Sequence, residues 1–326
     1  MFSKAKLKFD DMFENRLSED DVRKYLIDLY ERGETSEEIA SAASAMREHM
    51  IPLNFDPKMT ERLVDNCGTG GDKSNSFNIS TTVSILLAAC GCFVAKHGNR
   101  SITSNSGSAD MLEALGVNLT LTLPKQIEML EKTGFVFMFA INHHPAMKHI
   151  MPIRKSIPHR TIFNIIGPLS NPANVKKQFI GVFDKGYIPI LAEALIKLHT
   201  KRAMVVSSAD GMDEISISDI TYAAFVERGS YREFIFDPRE YGFDFYPKSD
   251  ILGGDAVENA AITRGILSGE ISGAKRDIVI INTAAALLVE GWVNSTEEGI
   301  DMARDAIDNG KALKKLEEII KVSNEL

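Results

Sequence analysis

A chain of 326 residues with 44% hydrophobic content has enough apolar material for a large buried core and is long enough for two domains. Lys and Arg total 37 against 45 Asp and Glu, a net charge of −8 with no long basic run, so nucleic acid is not an expected partner and a phosphate-bearing ligand must be held locally. Cys67, Cys90 and Cys92 are too few for a disulfide framework, Met1 to Lys6 lacks the apolar core of an export signal, and nothing approaches the roughly 18 apolar residues of a membrane span; a cytoplasmic protein without membrane contact is expected.

The first 50 residues have the periodicity of helices. Ser18 precedes one in which Val22, Leu26, Leu29 and Tyr30 share an apolar face. Thr35 and Glu38 form a capping-box pattern ahead of a second, running through Ile39, Ala43 and Met46, with Pro52 as its stop. From Leu63 the texture changes to short apolar runs alternating with helices: strands are expected at 93–95, 135–141, 179–183 and 203–206. The proline-bearing stretch 150–172, with a helix-like run at 161–166, is placed back with the helical unit. The tail from Asp255 reads as several helices, the last bearing Lys311, Lys314, Lys315 and Lys321 on a solvated face.

The strongest chemical signal is Cys67-Gly68-Thr69-Gly70-Gly71-Asp72, between a short strand and a helix expected over 78–89. Glycines let the backbone approach a phosphate with its N–H groups turned inward, and the helix start adds partial positive charge. A plain tight turn uses the same residues, so the loop alone is ambiguous. Two nucleotide motifs are excluded: Asp72 and Cys67 stand where a P-loop needs its glycines, and Lys73 stands at the last glycine of a dinucleotide fingerprint. Asn78-Ile79-Ser80-Thr81 offers groups that either cap that helix or meet phosphate and metal. Lys96-His97-Gly98-Asn99-Arg100 is expected in a turn just after a strand, and Asn105-Ser106-Gly107-Ser108-Ala109-Asp110 forms another small-residue turn leading into a helix at 111–115.

Together these segments resemble the anthranilate phosphoribosyltransferase family, which has a Gly-Thr-Gly-Gly-Asp loop, an Asn-x-Ser-Thr helix start and a Lys-His-Gly-Asn-Arg turn. The resemblance extends through His143-His144-Pro145-Ala146-Met147, Arg160-Thr161-Ile162-Phe163-Asn164, Gly167-Pro168-Leu169, Asn171-Pro172-Ala173, Asp210-Gly211-Met212-Asp213-Glu214, Gly253-Gly254-Asp255 and Glu258-Asn259-Ala260. It spans about residues 60 to 290.

The resemblance implies an α/β protein: a small all-helical domain, 1–64 with about 150–175, joined to a large α/β domain, 65–149 and 176–326, whose central mixed, mainly parallel sheet is flanked by helices. It implies transfer of a phosphoribosyl group from phosphoribosyl diphosphate to the amine of anthranilate in tryptophan biosynthesis. The donor would lie on Gly68, Thr69, Gly70, Gly71 and Asp72 with Asn78, Ser80, Thr81, Lys96 and Ser108. Mg2+ would bind at Ser80, Asp213 and Glu214, an acidic pair suited to a hard cation. Anthranilate would meet Gly68, Asn99, His144 and Arg154; an arginine fork suits its carboxylate. The amine is neutral near pH 7, so no catalytic base is assigned. A homodimer formed through the helical domain is implied, and an anthranilate synthase amidotransferase partner is admitted.

The spacing of His143, His144 and His149 argues against a zinc site, since Lys148 stands four residues after His144; packing at a helix start beside Pro145 is expected instead. Departures from the family pattern are Lys73 for the usual glycine, Ser207-Ser208-Ala209 before Asp210, and Ser156-Ile157-Pro158-His159 for the usual Leu-Gly. Two rivals are a pyrimidine nucleoside phosphorylase of the same architecture, whose lysine and serine signature is absent, and a non-catalytic nucleic-acid-binding relative, which would need a basic surface.

Overall fold

The computed structural model describes residues 3–72, 74–100 and 106–326; Lys73 and Asn105, singled out above, lie outside them. The amino-terminal helices form where the caps place them. Ser18 Oγ accepts the Asp21 N–H at 3.2 Å and starts Glu19–Arg32, and the Thr35–Glu38 box closes in both directions at the start of Ser36–Glu48. That helix ends at His49, ahead of Pro52.

Among the described residues seven strands form one sheet. In chain order they are β1 Leu63–Asp65, β2 Phe93–Gly98, β3 Phe135–Phe139, β4 Lys177–Gly181, β5 Arg202–Ser208, β6 Thr221–Glu227 and β7 Ser230–Phe236, in the spatial order β3-β2-β1-β4-β5-β6-β7. β3 to β5 are parallel neighbours, while β6 and β7 add on antiparallel. The parallel strands are buried on both faces, as their unbroken apolar runs require. On β5, Met204 and Val206 face a core with helices Ile79–Ala89 and Ala274–Glu290, and Ala203 and Val205 face the opposite core. That second core contains Phe9, Leu26 and Ala43 of the first helices together with Ile150, Ile162 and Leu169. The outer edge β7 alternates outward-facing polar residues, as a half-exposed edge does, and the Arg228-Gly229 turn, with φ +53° and +74°, joins it to β6.

Two expectations need correction. Lys96, His97 and Gly98 are not in a turn: they are the last three residues of β2, paired with Phe137, Met138 and Phe139 of β3. Lys96 is tolerated there because its ammonium finds oxygen partners inside the protein. The run at 161–166 condenses to a single 3₁₀ turn, Ile162–Asn164.

The strand order reverses direction between β1 and β4: the chain steps outward from β1 to β2 and β3, then returns to β4 on the other side. A crevice therefore opens at the carboxyl ends of β1 and β4, the place where open parallel sheets bind ligands.

Candidate active site

The glycine loop leaves β1 and runs into this crevice. Thr69 N–H donates to the Gly181 carbonyl at the end of β4, 2.9 Å away, and Gly70 N–H donates to Asp213 Oδ2 at 2.7 Å. The backbone of the Asp213 segment comes so close that only glycine fits beneath it. A Cβ on Gly68 would lie 2.5 Å from Asp213 Oδ2, and one on Gly181 would lie 1.5 Å from the Asp213 carbonyl oxygen. Gly181 carried no signal in the sequence, being a lone glycine at a strand end. Gly181→Ala is expected to displace Asp213 and cost roughly 10²-fold or more in turnover, a loss of the size that misplacing a distant catalytic group produces; steady-state kinetics on the folded variant checks this, and wild-type turnover would refute the contact.

Asp213 and Glu214 follow the turn that Asp210 builds. Asp210 Oδ2 accepts from Ser216 Oγ at 2.8 Å, its Oδ1 accepts from the Ser208 hydroxyl, and Lys248 Nζ donates to its carbonyl at 2.6 Å. Burial, with the charge of Asp72 next in effect, pushes the Asp213 carboxyl up to about 7. Burial and the neighbouring Asp213 charge raise Glu214 well above the usual carboxylate range, opposed by Lys96 and by the Ser80 backbone N–H. Two desolvated carboxylates facing a third acid are electrostatically short of cation. No group of three His, Cys, Asp or Glu side chains among the described residues forms a closed metal cage. An open pair of this kind suits an octahedral hard cation that takes its remaining ligands from water and substrate oxygens.

Lys96 is 1% exposed and reaches the same region; its Nζ donates to Asn66 O at 3.0 Å and to Ser80 Oγ at 3.5 Å. Asn66, missed in the sequence, donates its amide to Ser80 O at 2.7 Å and accepts from Ser84 Oγ at 2.6 Å, fixing the first turn of the helix against the loop. Thr81, one residue on, is fully buried, and its Oγ1 has no hydrogen-bond partner among the described residues. Such an orphan is costly unless a ligand uses it. Asn78 does not cap its helix. Its amide instead bridges to Ser106 O, at 3.2 Å, and accepts from Asn259 Nδ2, at 2.9 Å, linking three of the sequence motifs. Ala109 N–H donates to Asn99 O at 3.3 Å, so the end of β2 and the helix start at Ser108 are neighbours.

On the acceptor side His144 is buried and its Nε2 lies 3.2 Å from His97 Nε2, while His97 Nδ1 lies 3.2 Å from the Gly167 carbonyl. A carbonyl only accepts, so His97 carries its proton on Nδ1, and His144 Nε2–H donates to the unprotonated His97 Nε2. Burial holds both imidazoles neutral: His97 lies well below the usual value and His144 falls to about 4, with the other histidines adding to the effect. His143 is engaged with Ile51 O, at 2.8 Å, and the following helix, Met147–Lys155, starts two residues after Pro145. Arg154 lies on that helix over the Phe163 ring, with Nη2 3.4 Å from Asn164 Oδ1. Burial lowers it to about 10, which leaves it cationic at neutral pH, and none of the ion pairs among the described residues includes it. It makes no hydrogen bond to His144 or Asn99. The structure thus groups Gly68, Gly70 and Asp213, then Ser80 and Lys96, then Asn99 and Ser108, and sets Arg154 apart with Asn164.

A mainly parallel sheet with a glycine loop and an acidic pair at its switch point is the arrangement in which open α/β sheets place a ligand site. The sequence profile of the family described as "Glycosyl transferase family, a/b domain" matches residues 60–313. The anthranilate phosphoribosyltransferase of Petrotoga mobilis is 45% identical over 314 residues, covering 96% of this chain and 90% of that protein. The crystal structure of anthranilate phosphoribosyltransferase from Thermus thermophilus superposes with a TM-score of 0.93 at 36% identity, covering 99% of this chain and 96% of the other. The Saccharomyces cerevisiae anthranilate phosphoribosyltransferase in complex with PRPP and Mg gives a TM-score of 0.87 at 27% identity, over 98% of this chain and 92% of the other. The chain belongs to the anthranilate phosphoribosyltransferase family.

Proposed function

We propose that this chain transfers the 5-phosphoribosyl group of phosphoribosyl diphosphate (PRPP) to the amine of anthranilate, releasing diphosphate, as a step of tryptophan biosynthesis. One observation carries the reading: loop amides, the buried Lys96 and the Asp213–Glu214 carboxylates converge at the switch point between β1 and β4. The diphosphate lies on residues 68–72 and against Asn78, Ser80, Thr81, Lys96 and Ser108. Asp213, Glu214 and Ser80 hold Mg2+, which when bound supplies positive charge to the departing diphosphate. Lys96 and the loop N–H groups that are not bonded to Gly181 and Asp213 stabilise the same developing charge. Anthranilate sits by Gly68, Asn99 and His144 with its carboxylate on Arg154. No side chain is assigned to remove a proton from the neutral amine, so rate comes from positioning.

Calorimetric titration with PRPP tests the donor site: binding that strengthens with Mg2+ supports it, and no binding to folded protein refutes it. Arg154→Ala is expected to raise the KM for anthranilate roughly tenfold or more, the weight of a charge-assisted hydrogen bond, with a smaller change for PRPP. Equal losses for both substrates would remove Arg154 from this role. We propose a helical unit of residues 1–64 with about 150–175, set against 65–149 and 176–326; Phe9, Leu26, Ile150 and Ile162 share one core, which also takes in Ile180, Leu191, Ala203 and Val226 of the larger unit. A homodimer through that unit is proposed with it, as is a cytoplasmic location, in keeping with three free cysteines and with no described helix long and apolar enough to cross a membrane.

A further inference from the structure

Arg160 has a part in none of the roles above. It follows the helix that carries Arg154, and its side chain reaches back to the donor loop, where Nη2 donates to the Gly71 carbonyl. Its guanidinium lies over the ring of Phe183, 3.5 Å from the centroid, just beyond the end of β4. The ring fixes the plane of the guanidinium, and a fixed plane fixes the direction of the hydrogen bond.

We propose that Arg160 is a positioning residue that locks the Gly71–Asp72 peptide in the orientation that binds the diphosphate. In a trans peptide the C=O and the following N–H point in opposite directions. A Gly71 carbonyl drawn to Arg160 therefore turns the Asp72 N–H away from Arg160, towards the cradle. The opposite orientation would aim a carbonyl oxygen at an anion. Gly71 sits at φ +77° and Gly70 at φ +67°, where glycine passes between backbone states at little cost, so the loop has no internal barrier that selects one. Arg160 provides the selection from outside the loop. The same segment also bears on the acceptor side: Asn164 Oδ1 accepts both the Thr161 N–H, at 3.0 Å, and Arg154 Nη2, at 3.4 Å.

This proposal rests on the donor reading above. The test is calorimetry with PRPP and Mg2+ alongside steady-state kinetics. Arg160→Ala is expected to weaken PRPP binding and raise its KM by roughly tenfold or more, the worth of a charge-assisted bond, while the KM for anthranilate at saturating PRPP stays near wild type. Unchanged PRPP affinity, or an equal rise in both KM values, overturns it. Should Arg160→Ala fail to fold, Arg160→Lys and Phe183→Leu carry the test, each weakening PRPP binding by a smaller factor; wild-type affinity in both overturns it. Wild-type protein that binds no PRPP overturns the donor reading as well, whereas normal wild-type binding with unaltered Arg160→Ala binding overturns the Arg160 role alone.

Discussion

Replacing Asp213 by Asn and Glu214 by Gln together lowers Mg2+-dependent turnover by about 10³-fold or more, because the several kcal/mol of charge stabilisation that a bound divalent ion supplies is lost with its anchors. The substitution keeps shape and removes charge, so the fold persists. Burial already raises both carboxyls, and neutral amides relieve that strain rather than adding to it. Stability in denaturant is therefore expected to change less than in the Lys96 variant below, since Asp65 still faces the Lys96 ammonium, while turnover collapses. Turnover that stays Mg2+-dependent and undiminished would contradict the metal assignment. Turnover and stability falling together would assign the pair a structural role instead.

Lys96→Met has the second large effect and the opposite signature. The ammonium is buried beside Asp65, Glu214 and the Asn66 carbonyl, and it is the attractive charge that acts on both acids. Removing one partner from a buried charge cluster costs about 3–5 kcal/mol, since the remaining charges lose compensation without regaining water. Urea unfolding should show that loss, and PRPP titration should show binding weakened with it. A variant as stable as wild type would mean that Asp65 and Glu214 need no internal cation. One that binds PRPP normally would remove Lys96 from the donor site.

The parts of the site that sequence made legible are those whose chemistry leaves little choice of residue. A backbone that must approach a phosphate needs glycines, and Gly68 to Gly71 could be located for that reason, as could the acidic pair at 213–214 once the surrounding motif was seen. The helices at 19–32 and 36–48 were equally open to reading, because Ser18 and the Thr35–Glu38 box are local signals resolved within one turn.

What stayed hidden depends on contacts distant in the chain. Lys96 and His97 look like turn residues, yet they end a buried strand, because their partners Asn66, Asp65 and His144 come from elsewhere in the sequence. Gly181 owes its identity to the backbone of Asp213, which lies beyond the next strand in the chain. Asn78 resembled a helix cap and serves as a bridge, since Asn259, 181 residues later, takes its oxygen. The antiparallel pair β6–β7 went unplaced for want of any motif at all.

The most direct measurement is the fluorescence of anthranilate mixed with the purified chain and PRPP, followed with and without Mg2+. A decay is expected that requires the protein, PRPP and Mg2+ together, and that disappears with Asp213→Asn/Glu214→Gln. Steady fluorescence over a folded protein with PRPP bound would contradict it, showing a diphosphate cradle that does not deliver its sugar to anthranilate.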